Sequence, residues 1–525
     1  MFCEECGFKL EVGMRFCENC GTPVPVENAQ NKDANDLKWN EIFNSSDWQE
    51  KWQTFAKSAV CGAGILLTKS SALCAQLSCS KTELNGLLGD YCNFQKSRGL
   101  NYALIDLDEN SLLQNSSNEV ENIISVLETI CKVFLPKYVF ILGNEDVIDF
   151  VKWQNNSADS DADVPSDFCY TVLCSTSPWK GLKYDFNSAL RVGRLPTWHG
   201  ESFSDFASYF KNAANALGKM GGIKPYGLSA LVWKNETNSE FSAISRGTVD
   251  VSPAVTKFSV DSKISADRNL FLFNLHGSDQ TEFWYGQDDD EYPEAFSPAN
   301  MEKLSSANFI GVEACYGAMY EGNKNKKSSN VLAALCNKTV SLLGSSRIAY
   351  GTSNPPGSCA DIVVGEFLKN ISNGMTSGDA HISALQKLCA SNMDDSDIKT
   401  LCEFALYGDP SASFAELKKV HTLAGFNSIR PNTFTSAKTK TAGFHVAIPD
   451  VRAAVELSLA KVDAKISEAI NAHVWQKYPE MAAVEAEIYA VSSTRLYESV
   501  YKKNKSVVKI YFDSFGHIKK ELTSK

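Results

Sequence analysis

The chain lacks an excess of positive charge: its 525 residues include 51 Lys and Arg against 62 Asp and Glu, a formal net charge of −11. Binding to nucleic acid or to an anionic membrane surface requires clustered basic residues, so we expect neither partner. The chain also lacks long apolar runs. The longest, at 59–68, is about half of the roughly 20 residues that a bilayer-spanning helix needs. We therefore expect no membrane segment.

The first residues lack the basic and apolar regions of a secretory signal. Without an export signal, the sixteen cysteines are expected to stay reduced rather than to form disulfides. The expected location is the cytoplasm. At about 150 residues per domain, the length predicts two to four domains.

Four cysteines at the N-terminus form two Cys-x-x-Cys pairs, Cys3 with Cys6 and Cys17 with Cys20. This spacing predicts a closed, structural zinc site with four thiolate ligands, and residues 1–22 resemble a zinc ribbon. A redox dithiol is disfavoured because no strand–helix unit frames either pair. A ribbon of this size folds only with its metal. Because its side chains are mainly acidic, we expect it to dock a protein partner or to act structurally, and not to bind nucleic acid.

Residues 23–44 contain two prolines and no periodic pattern, which predicts a linker. Between 45 and 415, short apolar runs alternate with amphipathic segments, which predicts an α/β domain with a mainly parallel sheet flanked by helices on both faces. Residues 430–525 are expected to form a small α+β domain, with a long helix over 451–472 and a terminal hairpin over 506–522. This last domain shows no evident chemistry.

Two apolar runs, 271–277 and 309–315, end in residues that can carry out chemistry, His276 and Cys315. Near-continuous apolar runs of this length are typical of buried parallel strands, and ligands bind beyond the carboxyl ends of such strands. One strand would deliver an imidazole and another a thiol to the same rim, as a cysteine-nucleophile enzyme needs. Taken alone, a cysteine or a histidine is more often structural.

Several further segments match one family in the same order around these two residues. The chain resembles the gingipain-type cysteine peptidases, which belong with caspases and legumains, over about residues 45–415; the additional matching segments are 138–148, 165–170, 191–196 and 404–411. The resemblance implies a caspase-like fold and cysteine endopeptidase activity on protein or peptide substrates. Unlike gingipains, the chain opens with a zinc ribbon.

The expected roles follow. Cys315 is the nucleophile, and its thiolate is the reactive form. His276 is the general acid–base group, and the resemblance implies that it faces the sulfur across the scissile bond and protonates the leaving amine. Gly277, without a Cβ, would bring its N–H to the substrate oxygen and form an oxyanion hole with the N–H of Cys315. Glu201 or Asp205 could orient the histidine, but the sequence selects neither.

Acidic residues near the predicted rim suggest a basic residue before the cut, as the resemblance also implies. Asp361 and Asp288 are the candidate pocket charges, although the acidic run 288–291 is equally compatible with a solvated loop. The lysine-rich segment 321–329 is a candidate for activating self-cleavage, with a plain surface loop as the default. Alternating carboxylates at Asp159, Asp161 and Asp163 could bind calcium, but the glycine and distal glutamate of an EF-hand are missing.

Two alternatives remain open. A catalytically silent adaptor would keep the caspase-like fold and bind partners through the zinc ribbon and the C-terminal domain. A nucleic-acid-binding regulator would have the ribbon in its favour and the net charge against it. Retention of His276, Gly277 and Cys315 together favours the enzyme.

Overall fold

The computed structural model describes residues 39–109, 119–181, 183–217, 221–265, 267–322, 324–390, 393–419, 446–447, 460, 462–491, 496–503 and 506–525. The predicted zinc ribbon, with Cys3, Cys6, Cys17 and Cys20, lies outside these residues, as does most of the predicted 451–472 helix. The folded region begins before residue 45, because a helix at Trp39–Asn44 buries Phe43 against Trp52. The end of the predicted linker is therefore part of the folded domain.

Strands make up two main sheets and three small pairs. In chain order the strands are β1 (Gly62–Thr68), β2 (Leu100–Asp106), β3 (Tyr138–Leu142), β4 (Val151–Gln154), β5 (Asp163–Ser166), β6 (Lys183–Tyr184), β7 (Arg191–Leu195), β8 (Pro225–Ala230), β9 (Asp250–Ser252), β10 (Leu270–Asn274), β11 (Trp284–Tyr285), β12 (Glu294–Phe296), β13 (Asn308–Val312), β14 (Thr339–Ser345), β15 (Tyr350–Gly351), β16 (Phe404–Gly408), β17 (Val446–Ala447), β18 (Glu487–Val491), β19 (Leu496–Lys503), β20 (Ser506–Phe512) and β21 (Ile518–Ser524).

The helices flank the larger sheet and one packs on the smaller sheet. In chain order they are α1 (Trp39–Asn44), α2 (Trp48–Lys57), α3 (Ser70–Leu77), α4 (Lys81–Ser97), α5 (Glu119–Val133), α6 (Phe168–Val172), α7 (Phe203–Ala216), α8 (Lys234–Phe241), α9 (Asp261–Ile264), α10 (Pro298–Met301), α11 (Asn330–Cys336), α12 (Ala360–Ser372), α13 (Ser377–Leu388), α14 (Asp395–Glu403) and α15 (Ala464–Lys477). None of the helices in these described ranges has the length and apolarity needed to cross a bilayer.

The central sheet has ten strands in the order β2-β1-β3-β7-β16-β14-β13-β10-β8-β9. All neighbours pair in parallel except β14 and β16, which are antiparallel. The sheet therefore consists of two parallel halves that run in opposite directions and meet at this one junction. The predicted α/β architecture, a mainly parallel sheet covered by helices, is confirmed.

β10 and β13 lie side by side in the second half and are buried along their whole length. Their side chains point into layers on both faces of the sheet, which is why both segments read as continuous apolar runs. Burial of each large apolar side chain contributes about 1.5–3 kcal/mol. α12 covers one face so closely that a Cβ on Gly311 would collide with Val364 and Leu368. The two strands are thus held in a fixed register by packing on both sides.

The C-terminal residues form an antiparallel sheet in the order β15-β21-β20-β19-β18. The predicted terminal hairpin is confirmed as β20 and β21. α15 covers one face through Ile470 and Val474, which pack in the same apolar cluster as Ile510 and Phe512. One edge strand, β15, belongs by sequence to the larger domain, so the C-terminal sheet extends onto that domain.

Candidate active site

His276 and Cys315 leave the central sheet at the same edge. β10 and β13 pair in parallel with Phe273 opposite Val312, and each reactive residue follows three positions later. The N–H of Glu313 donates to the carbonyl of Phe273 over 2.9 Å, which extends the pairing by one residue. Parallel pairing thus brings the imidazole-bearing and thiol-bearing segments side by side, as the sequence predicts.

Gly277 packs directly on the main chain of Cys315. A Cβ at Gly277 would overlap the carbonyl oxygen of Cys315 and also press on Ala314. Any side chain here would push the two segments apart, so glycine is required for their close approach. The predicted role of its N–H in binding a substrate oxygen stays a prediction.

His276 is held by contacts on several sides. Its main chain pairs with Tyr285 through two hydrogen bonds of 2.8 Å, and its ring lies 4.3 Å from the ring of Trp233. Nε2 lies 2.7 Å from Oε1 of Gln287, whose amide nitrogen in turn donates to the carbonyl of Asp289. This amide orientation places the imidazole proton on Nε2 and leaves Nδ1 as the proton-accepting nitrogen.

The orienting partner of His276 is therefore Gln287. The sequence-based candidates were wrong for this position: Asp205 pairs with Lys326 at 2.8 Å, and Glu201 is a buried neighbour of Asp205 whose pKa is raised well above its usual value, chiefly by burial. Gln287 reaches the histidine because the Tyr285 segment folds back along it. An uncharged amide in an acidic loop carries no sequence signal for this role.

Burial controls the protonation of both reactive groups. It lowers the pKa of His276 to about 4, with a smaller contribution from the nearby Lys525 ammonium, whereas the bond to Gln287 opposes the shift. Burial also raises the pKa of the Cys315 thiol well above its usual value. In this structure the pair is therefore neutral at neutral pH, with a thiol rather than a thiolate.

Cys315 is covered by the C-terminal sheet. The residue is 4% exposed and packs in one apolar cluster with Tyr350, Val507 and Leu522. Its Sγ lies 3.5 Å from the carbonyl oxygen of Ala349. Its backbone N–H donates over 2.8 Å to the main-chain oxygen of Lys525, the last residue of the sequence. Cys315 is thus covered by residues of β20 and β21 and by Lys525, which follows β21.

Next to Cys315 lies a buried acidic pocket. Glu313 and Asp361 form ion pairs with the Nζ of Lys525, and all three side chains are fully buried. Glu236 and Glu240 lie around the same point, and ligand atoms of Glu236, Glu240 and Asp361 fall within 4.8 Å of one another. Burial raises the pKa of Glu313 and of Glu236 to about 7. Four carboxyl groups therefore surround one ammonium group.

The structure places one of the two predicted pocket acids in this pocket. Asp361, in the first turn of α12, contacts Lys525 through Oδ1 and accepts N–H bonds from Thr352 and Ser358 on Oδ2. Asp288 instead lies on an exposed turn, paired through its main chain with Glu291 and outside this buried pocket; its predicted role in substrate binding stays a prediction. Glu313 was missed because it reads as part of the apolar run.

Above the pocket is a cavity of about 540 Å³. Residues from both domains line it, including Trp233, His276, Gln287, Tyr292, Tyr478 and Ser524. The Lys525 ammonium lies 5.3 Å from the Trp233 ring centroid. The cavity therefore connects the histidine to the seam between the central and C-terminal sheets.

The remaining predicted sites are engaged in internal ion pairs. Lys399 contacts both Asp159 and Asp161 at 2.6 Å, and Arg347 contacts Asp163 at 2.8 Å. A calcium ion would have to compete with these cations for the carboxylates. In the lysine-rich loop, Lys326 pairs with Asp205.

The chain was compared with solved structures, curated proteins and protein-family models. The complex of the Porphyromonas gingivalis RgpB pro- and mature domains is similar at 14% identity, over 68% of this chain and 80% of that chain, with a TM-score of 0.49. The Arg-specific cysteine proteinase gingipain R (RgpB) is similar at 11% identity, over 88% and 90%, with a TM-score of 0.49. No curated protein matches the chain. A model of peptidase family C25 matches residues 76–415; the chain therefore belongs to this family and is a cysteine peptidase.

Proposed function

We propose that the chain is a cysteine endopeptidase that cuts protein substrates after a basic residue, with Cys315 as nucleophile and His276 as acid–base group. Nδ1 of His276 takes the thiol proton as Sγ of Cys315 attacks the scissile carbonyl. The resulting imidazolium then protonates the leaving amine, and water hydrolyses the thioester. The N–H groups of Cys315 and Gly277 bind the oxyanion, at about 3–4 kcal/mol per donor in the transition state.

The contact between the Cys315 N–H and a carbonyl-derived oxygen is the observation that carries this proposal. The oxygen of Lys525 lies 2.8 Å from that N–H, which is the distance an oxyanion-hole donor needs. The same residue places its ammonium between Glu313 and Asp361. One bound lysine thus satisfies the acceptor geometry at the nucleophile and the charge of the pocket together, which supports a basic residue before the cut.

Several finer expectations stay predictions. Self-cleavage within 321–329 is supported by the position of this loop shortly after Cys315 and by its lysines. Structural zinc at Cys3, Cys6, Cys17 and Cys20, a protein partner on that ribbon, calcium near Asp159 and a cytoplasmic location also stay predictions.

A panel of fluorogenic peptides varied at the residue before the reporter tests the proposal. The full chain and a Lys525→Ala variant, which empties the acidic pocket, are assayed in parallel. We expect cleavage after Lys or Arg, and a loss of at least about 10³-fold in Cys315→Ala and His276→Ala. Cys92→Ala is the matched control, because Cys92 is buried in α4. Full activity in Cys315→Ala, or no cleavage by either chain, would overturn the proposal.

A further inference from the structure

The C-terminal strand β21 lies where a substrate would lie. Building on the proposed function, we propose that β21 occupies the substrate groove in cis with Lys525 as the residue before the cut, and that the groove selects lysine over arginine. The structure is then the closed form of the enzyme, and substrates enter once the end of β21 has left.

The main chain of β21 binds as an extended peptide does. It pairs antiparallel with β15, with Ser524 opposite Tyr350 and Thr523 opposite Gly351. The N–H of Lys525 donates to the carbonyl of Ala349 over 3.0 Å. Addition of a strand to an exposed edge is a general mode of peptide recognition, in which main-chain bonds give affinity and side-chain pockets give specificity. β15 is two residues long, so it offers an edge for a short segment.

The side chain of Lys525 fits a pocket that is built around it. A Cβ on Gly351 would collide with Cε and Nζ of Lys525 and with Asp361, so the glycine leaves the space that the lysine fills. Trp233 lies on another side, at cation–π distance. Carboxylate oxygens of Glu240 and one of Glu313 have no hydrogen-bond partner among the described residues. Burial and the nearby Glu313 and Asp361 carboxylates raise the pKa of Glu240 well above its usual value, so the ion pairs of Lys525 are those with Glu313 and Asp361.

The arrangement of acceptors favours an ammonium group over a guanidinium group. Lys525 bonds one oxygen from each of two carboxylates, Glu313 and Asp361. The second oxygen of Asp361 already accepts from the Thr352 and Ser358 N–H groups, so Asp361 cannot receive the two parallel bonds that an arginine fork prefers. A compact point charge with three rotatable donors suits acceptors that converge from separate residues.

β21 also shields the reactive pair. Leu522 packs in the apolar cluster that contains Cys315, and Ser524 lines the cavity together with His276. Beyond the pocket, the last residues are held by their pairing with β15 and by the pair of Thr523 with Val508 of β20. Two side-chain bonds add to these: Trp233 donates to Thr523 over 3.2 Å, and the N–H of Val507 donates to Ser524 over 2.9 Å. The remainder of β21 stays paired with β20. The end of the strand can therefore leave without unfolding the sheet.

Alkylation of Cys315 tests occupancy without requiring turnover. Iodoacetamide labelling, read by mass spectrometry, is compared between the full chain, Lys525→Glu and a chain lacking residues 523–525. Lys519→Glu is the matched control, on an exposed part of the same strand. If β21 occupies the groove about 90% of the time or more, labelling should rise about tenfold or more on its removal. Equal labelling in all folded variants, verified by thermal melting, would overturn the proposal.

A competing peptide tests the lysine selectivity. The peptide Leu-Thr-Ser-Lys, added to the 523–525 deletion, should protect Cys315 from alkylation, and the peptides ending in Arg or norleucine should protect at least about tenfold less well. If the lysine peptide protects Cys315 from alkylation but no substrate is cleaved, the assignment of the groove is supported. Only the proposed endopeptidase activity is then overturned. Equal protection by Lys and Arg, or protection by none, would overturn the selectivity claimed here.

Discussion

Two buried lysines, Lys399 and Lys525, lie in similar surroundings but differ in how the chain holds them. Both are fully buried, and each forms close ion pairs with two carboxylates. Lys399 lies within α14, where Glu403 approaches to 4.0 Å and Tyr350 provides a ring at 5.7 Å. Lys525 enters its pocket from the end of a strand, directly after Thr523 and Ser524, which line the cavity at His276.

This difference separates a structural ion pair from an exchangeable one. Lys399 joins α14 to the loop before β5, and its partners Asp159 and Asp161 also bond Tyr350 and the N–H of Ile348. Displacing Lys399 would therefore disturb the hydrogen bonds that hold Tyr350 and Ile348 in place. Displacing Lys525 moves only a strand end and lets water or another cation reach the acids. Similar charge clusters can thus serve stability in one place and binding in another.

Replacing each lysine should have the largest effect, because it separates the two ion pairs by their contribution to the free energy of unfolding. In Lys399→Met, two buried carboxylates lose their cation, and we expect the free energy of unfolding to fall by about 3–5 kcal/mol. In Lys525→Met, the strand end can move and water can solvate the acids, so we expect a smaller loss than in Lys399→Met. Urea unfolding followed by circular dichroism measures both. Equal losses would contradict the distinction.

The acids of the two clusters should differ in their effect on substrate choice. In the 523–525 deletion, Glu313→Gln removes one of the two charges that pair with lysine, and we expect kcat/KM for a lysine peptide to fall about 10–100-fold. The matched change, Glu403→Gln, removes a carboxyl whose pKa is raised to about 8 by burial but which contacts Lys399. It should leave the Lys-to-Arg preference unchanged. A shift of that preference in Glu403→Gln would contradict the assignment.

Two histidines, the half-buried His276 and the buried His381, extend this comparison to the dependence of stability on pH. Burial lowers the pKa of each to about 4, below the unfolded value of about 6.5. The unfolded chain then binds more protons between these values, so the stability that each neutral ring contributes is present above pH 6.5 and is lost as pH falls toward 4.

Removal of residues 523–525 should affect only one of these rings. His276 would gain water and lose the Lys525 charge, so its pKa should rise toward 6.5. His381 bonds the carbonyl of Phe404 in the core and should stay near 4. NMR titration of labelled histidine measures both, and His381→Gln assigns its signal. An unchanged His276 in the deletion would contradict the closed form described here.

Much of the site's placement could be predicted from the sequence because it depends on local patterns. Apolar runs of strand length predicted β10 and β13, and parallel pairing of such strands brings the residues that follow them, His276 and Cys315, to one edge. Gly277 was singled out for the approach of its N–H to a substrate oxygen, which stays a prediction, whereas the close approach in the structure is to the carbonyl of Cys315. Asp361 was found because its segment follows a predicted strand.

The missed features depend on contacts between distant segments. Gln287 reaches His276 through a turn whose course no periodicity indicates. The C-terminal domain was expected to lack chemistry, yet it delivers Lys525 to a pocket 164 residues away from it along the chain, at Asp361. Pairing of β21 with β15 involves two residues on one side, too few for a pattern. Long-range strand addition is set by tertiary packing and not by local sequence.

Of the predicted substitutions, Asp288→Asn should have the smallest effect on kcat/KM for lysine peptides. The acidic run 288–291 has the charge of a specificity pocket, but Asp288 forms a tight main-chain pair with Glu291 and its side chain is exposed. A charge in water is screened by solvent and salt, so Asp288→Asn should change kcat/KM for lysine peptides less than about twofold. Asp361→Asn, assayed beside it in the 523–525 deletion, should lower the same constant at least about tenfold, since its Oδ1 contacts the bound ammonium. A larger effect from Asp288 than from Asp361 would move the specificity pocket to the exposed loop.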